Sequence, residues 1–281
     1  MPEDMLTDEE SLFTSPGILD IEYLPRLLPY REEQQKYLAD CIKRLPSLGT
    51  NVLIHGPPGI GKTACVMWVF RELKEAEDLD VFPVYINCWN DSSLDKIVFN
   101  ICRQLGINTA YRSPEELLSI VMHNLRSKKA VAFAFDEIDR MQDQSLLYHF
   151  IEGIPHKSIF LISAKKDWLA HLDNRVRSRL MPEAIEFKQY NHEQTRGILE
   201  ERKNYAFVPG AWENDAFGLV VKKCFEIGDI RTGLAMLKAS GLAAERDVSR
   251  KITKVHALKA MEKLEMKPEE TEVKGRRVTD F

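Results

Sequence analysis

The stretch Gly56-Pro-Pro-Gly-Ile-Gly-Lys-Thr63 matches the phosphate-binding pattern G-x-x-x-x-G-K-[ST]. It follows the apolar run Asn51–His55 and precedes the helix-like run Ala64–Phe70. Phosphate oxygens need many donors at close range, and glycines let successive backbone N–H groups turn inward at a helix N-terminus. Lys62 is placed to reach the β- and γ-phosphates, and the Thr63 hydroxyl to hold Mg²⁺. A plain Gly/Pro-rich turn is the alternative, but the strand–loop–helix setting favours a nucleoside triphosphate site.

A second motif supports this interpretation. Val131-Ala-Phe-Ala-Phe-Asp-Glu-Ile-Asp139 is an apolar run that ends in adjacent carboxylates. On a central parallel strand, polar residues emerge at the carboxyl end. Asp136 would orient a water ligand of Mg²⁺, and Glu137 would polarise the attacking water. Carboxylates that merely end a strand are the alternative, which the phosphate-binding pattern upstream makes the weaker one.

Composition limits the class of protein. The chain has 281 residues and a formal net charge of −4, so it is not a globally basic nucleic-acid coat, although a local basic face stays open. It has no run of 18 apolar residues and no basic-then-apolar N-terminal signal pattern. The five cysteines are scattered in apolar settings, which indicates reduced thiols and argues against disulfides or zinc. We expect a cytoplasmic protein without membrane contact.

Apolar periodicity predicts alternating strands and helices and then helices alone. The predicted strands are 51–55, 81–87, 130–135, 158–163 and 184–187. The predicted helices are 31–45, 62–76, 93–105, 114–126, 143–151, 192–203, 212–226, 230–246 and 254–264. Ser113-Pro-Glu-Glu116 is a capping box that marks one helix start. The alternation indicates an α/β domain with a parallel sheet of five strands, flanked by helices, followed by a small all-α domain. We therefore expect a mobile acidic arm (1–18), a nucleotide-binding domain (19–190), a helical lid (191–265) and a disordered tail (266–281).

These motifs, in this order, resemble the AAA+ ATPases, and among them the archaeal origin-recognition and replication-initiator proteins. Five further segments carry the resemblance: Pro25–Glu33, Tyr85–Cys88, Leu172–Leu180, Ile185–Tyr190 with Ile198–Arg202, and Gly228–Arg231. The likeness extends over about residues 18–262 and implies a P-loop fold with a helical lid. It also implies ATP or ADP with Mg²⁺ as cofactors, and other AAA+ subunits or replication proteins as partners.

In such ATPases the nucleotide lies between the sheet domain and the lid. The resemblance implies contacts to the nucleotide from Leu28, Pro29, Tyr30, Arg31, Pro57, Pro58, Gly59, Ile60, Gly61, Lys62, Thr63, Ala64, Asp136, Tyr190, Ile198 and Arg231. Arg31 would help to form the adenine pocket, mostly through backbone contacts, or else be a first-turn surface charge. Arg231 matches the lid arginine that reaches the γ-phosphate, whereas Asp229 is expected to be a helix cap.

Arg175, Arg177 and Arg179 form a basic cluster whose default explanation is a solvated surface. The resemblance implies a sharper role, because Arg179 matches the arginine finger supplied in trans to a neighbouring subunit's ATP; Arg175 is the second candidate. The implied catalytic residues are thus Glu137, Arg179 and Arg231.

Two departures from the family pattern limit the resemblance. After Ser163 the family commonly places an asparagine that helps to orient the attacking water, and this chain has Ala164; Ser163 or Lys165 would have to substitute. We therefore expect slow hydrolysis. The given sequence also ends soon after its last predicted helix, so we expect it to lack the family's winged-helix DNA-binding domain.

DNA contact would then come from the helix pair 93–126 and the residues just after it, where the initiators place a duplex-contacting insertion. Its cationic residues are Lys96, Arg103, Arg112, Arg126, Lys128 and Lys129. They suit phosphate contacts without sequence readout, or are ordinary helix-surface charges. We expect Tyr111 to pack in a turn rather than to stack on bases. DNA binding should be weak and non-specific.

Three functions remain open at this point. The first is a shortened initiator-like ATPase that acts as an ATP/ADP switch in an assembly. The second is a clamp-loader-like enzyme, or a transposition or defence regulator, in which turnover matters. The third is a non-hydrolysing adaptor with structural nucleotide.

Overall fold

The computed structural model of this protein describes residues 11–76 and 78–265. These residues form two compact units, the sheet unit (24–194) and the helical unit (11–23 with 195–265). The chain therefore leaves the helical unit, builds the sheet unit and returns. Within the described ranges, no helix is long and apolar enough to cross a membrane.

The sheet unit is built on five parallel strands, which confirms the predicted fold class. In chain order these are β1 (Val52–His55), β2 (Phe82–Asn87), β3 (Val131–Asp136), β4 (Lys157–Ser163) and β5 (Glu183–Glu186). Their order in the sheet is β2-β3-β4-β1-β5. β1 and β3 are buried along their whole length, as expected for strands covered on both faces, whereas β5 is a largely exposed edge strand.

Helices connect and cover these strands. They are α1 (Glu32–Arg44), α2 (Lys62–Glu75), α3 (Leu94–Leu105), α4 (Pro114–Arg126), α5 (Ser145–Gly153) and α6 (Asn174–Leu180). α4 begins at the predicted capping box, in which Ser113 and Glu116 bond each other's backbone N–H groups. The short α6, which periodicity did not predict, is capped by the Asp173 side chain. Phe133, Phe135 and Phe150 contact one another in the core.

The helical unit contains all but the first three residues of α7 (His192–Ala206), together with α8 (Asn214–Ile227), α9 (Ile230–Arg246) and α10 (Lys254–Glu265). Each overlaps a predicted helix. Their apolar faces meet around buried residues of α8 and α9 such as Val220 and Leu237.

The start of the described chain corrects the expected mobile arm. Residues 11–19 are packed on the helical unit, with Leu12 and Leu19 buried in its core. The Phe13 ring lies 4.6 Å from that of Phe207, measured between centroids, against Gly241, where any Cβ would clash with both rings. The acidic composition concealed these apolar anchors. Residues 1–10 and the tail 266–281, for which we predicted mobility and disorder, lie outside the described residues.

Candidate nucleotide-binding site

The phosphate loop begins at the carboxyl end of β1 and ends at the N-terminus of α2. Gly56, Gly59 and Gly61 have positive φ angles of 146°, 70° and 91°. A Cβ on Gly56 would lie 2.2 Å from the carbonyl oxygen of Phe187, so that position excludes every side chain. The loop therefore keeps the close, inward-curled backbone that an oxyanion needs.

Lys62 lies within this loop rather than in solvent. Its side chain is buried, and its Nζ donates hydrogen bonds to the carbonyl oxygens of Gly56 and Pro57, both at 2.7 Å. Burial of an ammonium group is costly unless donors are satisfied. The two carbonyls hold the charge at the loop, where a phosphate would meet it.

Thr63 and Asp136 meet at the carboxyl end of β3, although 73 positions separate them in the chain. The Thr63 hydroxyl donates to Asp136 Oδ2 at 2.7 Å, and the Tyr85 hydroxyl donates to the same oxygen at 2.8 Å. Burial, followed by the charge of Asp136, raises the pKa of Tyr85, so its hydroxyl stays protonated at neutral pH. Hydroxyl and carboxylate oxygens are the ligands that Mg²⁺ prefers. The pair fits a cation that takes its remaining ligands from phosphate and water.

Glu137 follows Asp136 in the left-handed region, with φ of 52°, and its backbone N–H donates to Asp136 Oδ1 at 2.9 Å. Such a conformation in a non-glycine residue stores strain, as functional sites often do. It turns the half-buried Glu137 out of the strand pattern at the carboxyl end of β3.

Of the two residues proposed to replace the missing asparagine, Ser163 is engaged by other residues and Lys165 has an exposed side chain. Ala164 is exposed at the end of β4. The Ser163 hydroxyl donates to Asp139 Oδ1 at 3.1 Å and accepts from the Lys165 backbone N–H at 2.9 Å. Ser163 is therefore held within the strand end.

Arg31 is a buried clamp, which makes the alternative of a first-turn surface charge wrong. Its guanidinium donates to the carbonyl oxygens of Ile60 at 3.2 Å, Lys188 at 2.7 Å and Tyr30 at 3.4 Å. It also lies over the Tyr190 ring, 4.0 Å from the centroid. One side chain thus joins the phosphate loop to the segment that follows β5.

The entry segment before α1 is fastened to α2. The Trp68 indole donates to the Arg26 carbonyl at 2.6 Å, and Arg71 donates to the carbonyls of Leu24 and Pro25. Of the predicted adenine contacts in this segment, Leu28 and Pro29 are half-buried and Tyr30 is exposed with φ of 65°. Pro57 and Pro58 are exposed in the phosphate loop, and Ala64 is half-buried in the first turn of α2.

The predicted finger, Arg179, is paired within its own chain. Its guanidinium contacts the Glu152 carboxylate, and its Cζ lies 5.2 Å from the centroid of the Tyr148 ring. The Arg177 guanidinium donates to Asn174 Oδ1, whereas Arg175 shows an exposed side chain. Arg179 would have to leave Glu152 before it could contact the nucleotide of a neighbouring subunit.

Ile198 and Arg231 belong to the helical unit. Ile198 is buried there. Arg231 makes a two-pronged contact with the Asp229 carboxylate, with its Nη2 2.8 Å from Oδ2. Asp229 also accepts from the Arg231 backbone N–H, which confirms Asp229 as the N-cap of α9.

Some of the cationic side chains expected to contact DNA, on α3, on α4 and just after α4, contact other residues of this chain, and others are exposed. Arg126 donates to the Gly153 carbonyl, and Lys128 lies over the Phe82 ring. Arg112 donates to the Asn108 carbonyl at 3.0 Å, whereas Lys96, Arg103 and Lys129 are exposed. The prediction that Tyr111 packs in a turn is wrong, because its side chain is fully exposed. Its backbone lies in the loop between the two helices, with a positive φ of 60°.

The five cysteines are free and buried, as expected. Burial raises the pKa of the Cys65, Cys88 and Cys224 thiols to about 12, so they are inert as nucleophiles at neutral pH. The described residues contain no group of three or more His, Cys, Asp or Glu side chains that could hold a metal ion.

Tyr85 is a site residue that sequence patterns did not predict. Its hydroxyl contact with Asp136 joins residues 51 positions apart. The residue type, a tyrosine in a strand that ends at polar residues, was the available signal.

Two family models match this chain. A model of the AAA domain matches residues 47–158, and a model of the Cdc6 AAA+ ATPase-type lid domain matches residues 196–262.

Individual proteins are similar over most of the chain. The ORC1-type DNA replication protein 2 of Methanosarcina acetivorans is 34% identical over 278 residues, covering 92% of this chain and 73% of that protein. The structure of the Aeropyrum pernix ORC1 protein in complex with DNA has 27% identity and a TM-score of 0.83, covering 92% of this chain and 71% of that one. The Aeropyrum pernix ORC2 protein in its ADPNP–ADP complexes shares the fold, with 22% identity and a TM-score of 0.78 over 90% and 73%.

Proposed function

This chain belongs to the archaeal ORC1/Cdc6-type family of AAA+ replication initiators, and from that premise we propose that it is an ATP/ADP-dependent switch that hydrolyses ATP slowly within a nucleoprotein assembly. Nucleotide binding follows from the family. The observation that carries the proposal is the meeting of Thr63 with Asp136 beside the buried Lys62.

Each residue of the candidate site would have a separate role in phosphoryl transfer. Lys62 would neutralise charge on the β- and γ-phosphates. Mg²⁺, held by Thr63 and through water by Asp136, would supply further charge neutralisation at those phosphates. Glu137 would polarise the attacking water as a general base. Positioning and electrostatics, rather than covalent chemistry, carry such reactions.

We expect slow hydrolysis because of the residues at the end of β4, the strand beside β3. Ala164 offers no polar side chain, and the Ser163 hydroxyl is engaged with Asp139. The attacking water would therefore be oriented by Glu137 with little further help. A nucleotide that persists suits a switch better than a motor.

The proposed partners are other AAA+ subunits or replication proteins, and DNA. Arg179 would act in trans on a neighbour's nucleotide after releasing Glu152. Arg231 would read the γ-phosphate, exchanging its Asp229 partner for the anion. Lys129, exposed just after the helix pair, would contact DNA phosphates without reading sequence, and Arg112 would do so after releasing the Asn108 carbonyl.

Magnesium-dependent ATPase assays with and without duplex DNA, together with size measurements in ATP and ADP, test the proposal. Slow turnover with ATP-dependent assembly supports it. Fast DNA-stimulated turnover would indicate a motor, and tightly retained nucleotide without any response would indicate an adaptor.

Glu137→Gln is expected to leave ATP affinity within about twofold of the parent and to slow hydrolysis at least about tenfold, because the amide keeps the shape but lacks the basicity. Single-turnover hydrolysis measures the rate, and filter binding measures the affinity. Glu115→Gln, an exposed position in the first turn of α4, is the matched control. Unchanged turnover in Glu137→Gln would remove Glu137 from the role of base.

Lys129→Glu is expected to weaken DNA binding equally on two unrelated duplex sequences, because phosphate contacts carry no sequence information. The plot of log affinity against log salt should become less steep by about 0.9 for each phosphate that the variant no longer neutralises. Fluorescence anisotropy at several salt concentrations measures both. Lys74→Glu on α2 is the control, and weaker binding confined to one duplex sequence would contradict phosphate-only binding.

A further inference from the structure

We propose that Tyr85 is a positioning residue for Asp136, and that helix α3 holds Tyr85 in place through the side-chain amide of Gln104. The inference rests on the proposed function, because the position of Asp136 matters when Mg²⁺ and nucleotide bind there. It gives strand β2 and helix α3 a part in the metal site.

The Asp136 carboxylate is held on both oxygens. Oδ1 accepts from the Glu137 backbone N–H at 2.9 Å, and Oδ2 accepts from the hydroxyls of Thr63 and Tyr85. A hydroxyl has one donor and two lone pairs, so Thr63 can bind a cation and still donate to Asp136. Tyr85 approaches from β2, the neighbouring strand, and has no part in the phosphate loop. It therefore fixes the carboxylate independently of the bound nucleotide.

The position of Tyr85 depends in turn on the outer edge of the sheet. β2 is an edge strand that pairs with β3 on one side, with Tyr85 in register with Ala134. Backbone groups on a free edge lack strand partners. At Tyr85 the side-chain amide of Gln104 supplies the partners that a further strand would have supplied. The Tyr85 N–H donates to Gln104 Oε1 at 3.1 Å, and Gln104 Nε2 donates to the Tyr85 carbonyl at 2.7 Å.

The side-chain amide of Gln104 is itself held in place by Asn100. Gln104 Nε2 also donates to Asn100 Oδ1 at 2.6 Å, one turn earlier on α3. Asn100 Nδ2 donates in turn to the Asp91 carboxylate, in the loop that follows β2. A continuous chain of hydrogen bonds therefore runs from Asp91 through α3 to the Tyr85 backbone, and from the Tyr85 hydroxyl to Asp136. All of it lies within the sheet unit.

A purely space-filling role for Tyr85 makes a different prediction. Phenylalanine keeps the ring and its packing and removes only the hydroxyl. If the ring alone matters, Tyr85→Phe will bind Mg²⁺–nucleotide like the parent. If the hydroxyl positions Asp136, the change will appear only when Mg²⁺ is present.

The experiment is calorimetric titration of ADP into the full chain, in EDTA and at a series of MgCl₂ concentrations. We expect Tyr85→Phe to match the parent within about twofold in EDTA and to bind about tenfold more weakly at saturating Mg²⁺, as the loss of a hydrogen bond to a charged group implies. Tyr37→Phe is the matched control, since the Tyr37 hydroxyl also donates to a carboxylate, that of Glu183. Thermal unfolding of each variant reports on the fold.

Gln104→Leu tests the contribution of α3. It keeps most of the length of the side chain and removes both bonds to the Tyr85 backbone, so we expect binding to weaken about threefold, again only with Mg²⁺. The double variant should be no weaker than Tyr85→Phe alone, because both changes act through one hydroxyl. Additive effects would overturn the link through α3.

The outcomes separate this inference from the proposed function. A parent that gains affinity from Mg²⁺ while Tyr85→Phe is unchanged would overturn the inference alone. Equal weakening in EDTA and in Mg²⁺ would assign Tyr85 a general structural role and overturn it too. A parent that binds no ADP in either condition would overturn the proposed function and this inference with it.

Discussion

Lys62→Ala is expected to lower ATP and ADP affinity by at least about 100-fold while the protein stays folded. The ammonium group is buried in the phosphate loop, bonded to the carbonyls of Gly56 and Pro57. Without it, the β- and γ-phosphates would meet those carbonyl dipoles without the cation that offsets them. Loss of one partner of a desolvated charge pair typically costs roughly 2–5 kcal/mol, and each 1.4 kcal/mol is about tenfold in affinity.

Calorimetric or fluorescence titration with ADP and ATP measures the effect, with thermal unfolding as the check on the fold. Lys74→Ala lies in the last turn of the same helix, is exposed, and serves as the matched control. Unchanged affinity in Lys62→Ala would refute the assignment of residues 56–63 as the phosphate site. A variant that unfolds would instead be replaced by Lys62→Met, which keeps the buried stem without the charge.

Arg31→Ala is expected to destabilise the sheet unit by about 3 kcal/mol. The change leaves the carbonyls of Ile60 and Lys188 without their charged donor and empties the space beside the Tyr190 ring. Each unsatisfied buried acceptor costs roughly 1–3 kcal/mol, partly relieved where water enters. In a unit of this size, the destabilisation corresponds to a fall of about 10 °C in Tm. Nucleotide affinity should fall as well, because the Ile60 carbonyl anchors the phosphate loop.

Scanning calorimetry and ADP titration below the transition measure the two effects. Arg44→Ala, in the exposed last turn of α1, is the control and should shift Tm by about 1–2 °C at most. Arg31→Lys should be intermediate, because an ammonium keeps the charge but cannot span three carbonyls as the guanidinium fork does. A Tm for Arg31→Ala equal to that of the parent would contradict the clamp.

Features that are local in the chain could be predicted from the amino-acid sequence. The phosphate loop is contiguous, and its glycines, lysine and threonine act over eight neighbouring positions, so their order predicts the turn and the helix start. Strands β1 and β3 are continuous apolar runs, as central parallel strands require. The capping box of α4 lies within four residues. Short-range backbone geometry governs all of these, and sequence spacing reports it directly.

Contacts between residues that are distant in the chain could not be predicted from the sequence. Arg31 reaches the Lys188 carbonyl across 157 positions, Tyr85 reaches Asp136 across 51, and Leu12 lies in a core built from helices near the other end of the chain. Strand order and helix packing set these contacts. Composition pointed the other way for two of them, because an arginine and an acidic segment are usually exposed. Arg31 and Leu12 are nevertheless buried, because backbone carbonyls accept from the first and apolar partners far along the chain cover the second. Periodicity in one sequence carries no information on such partners.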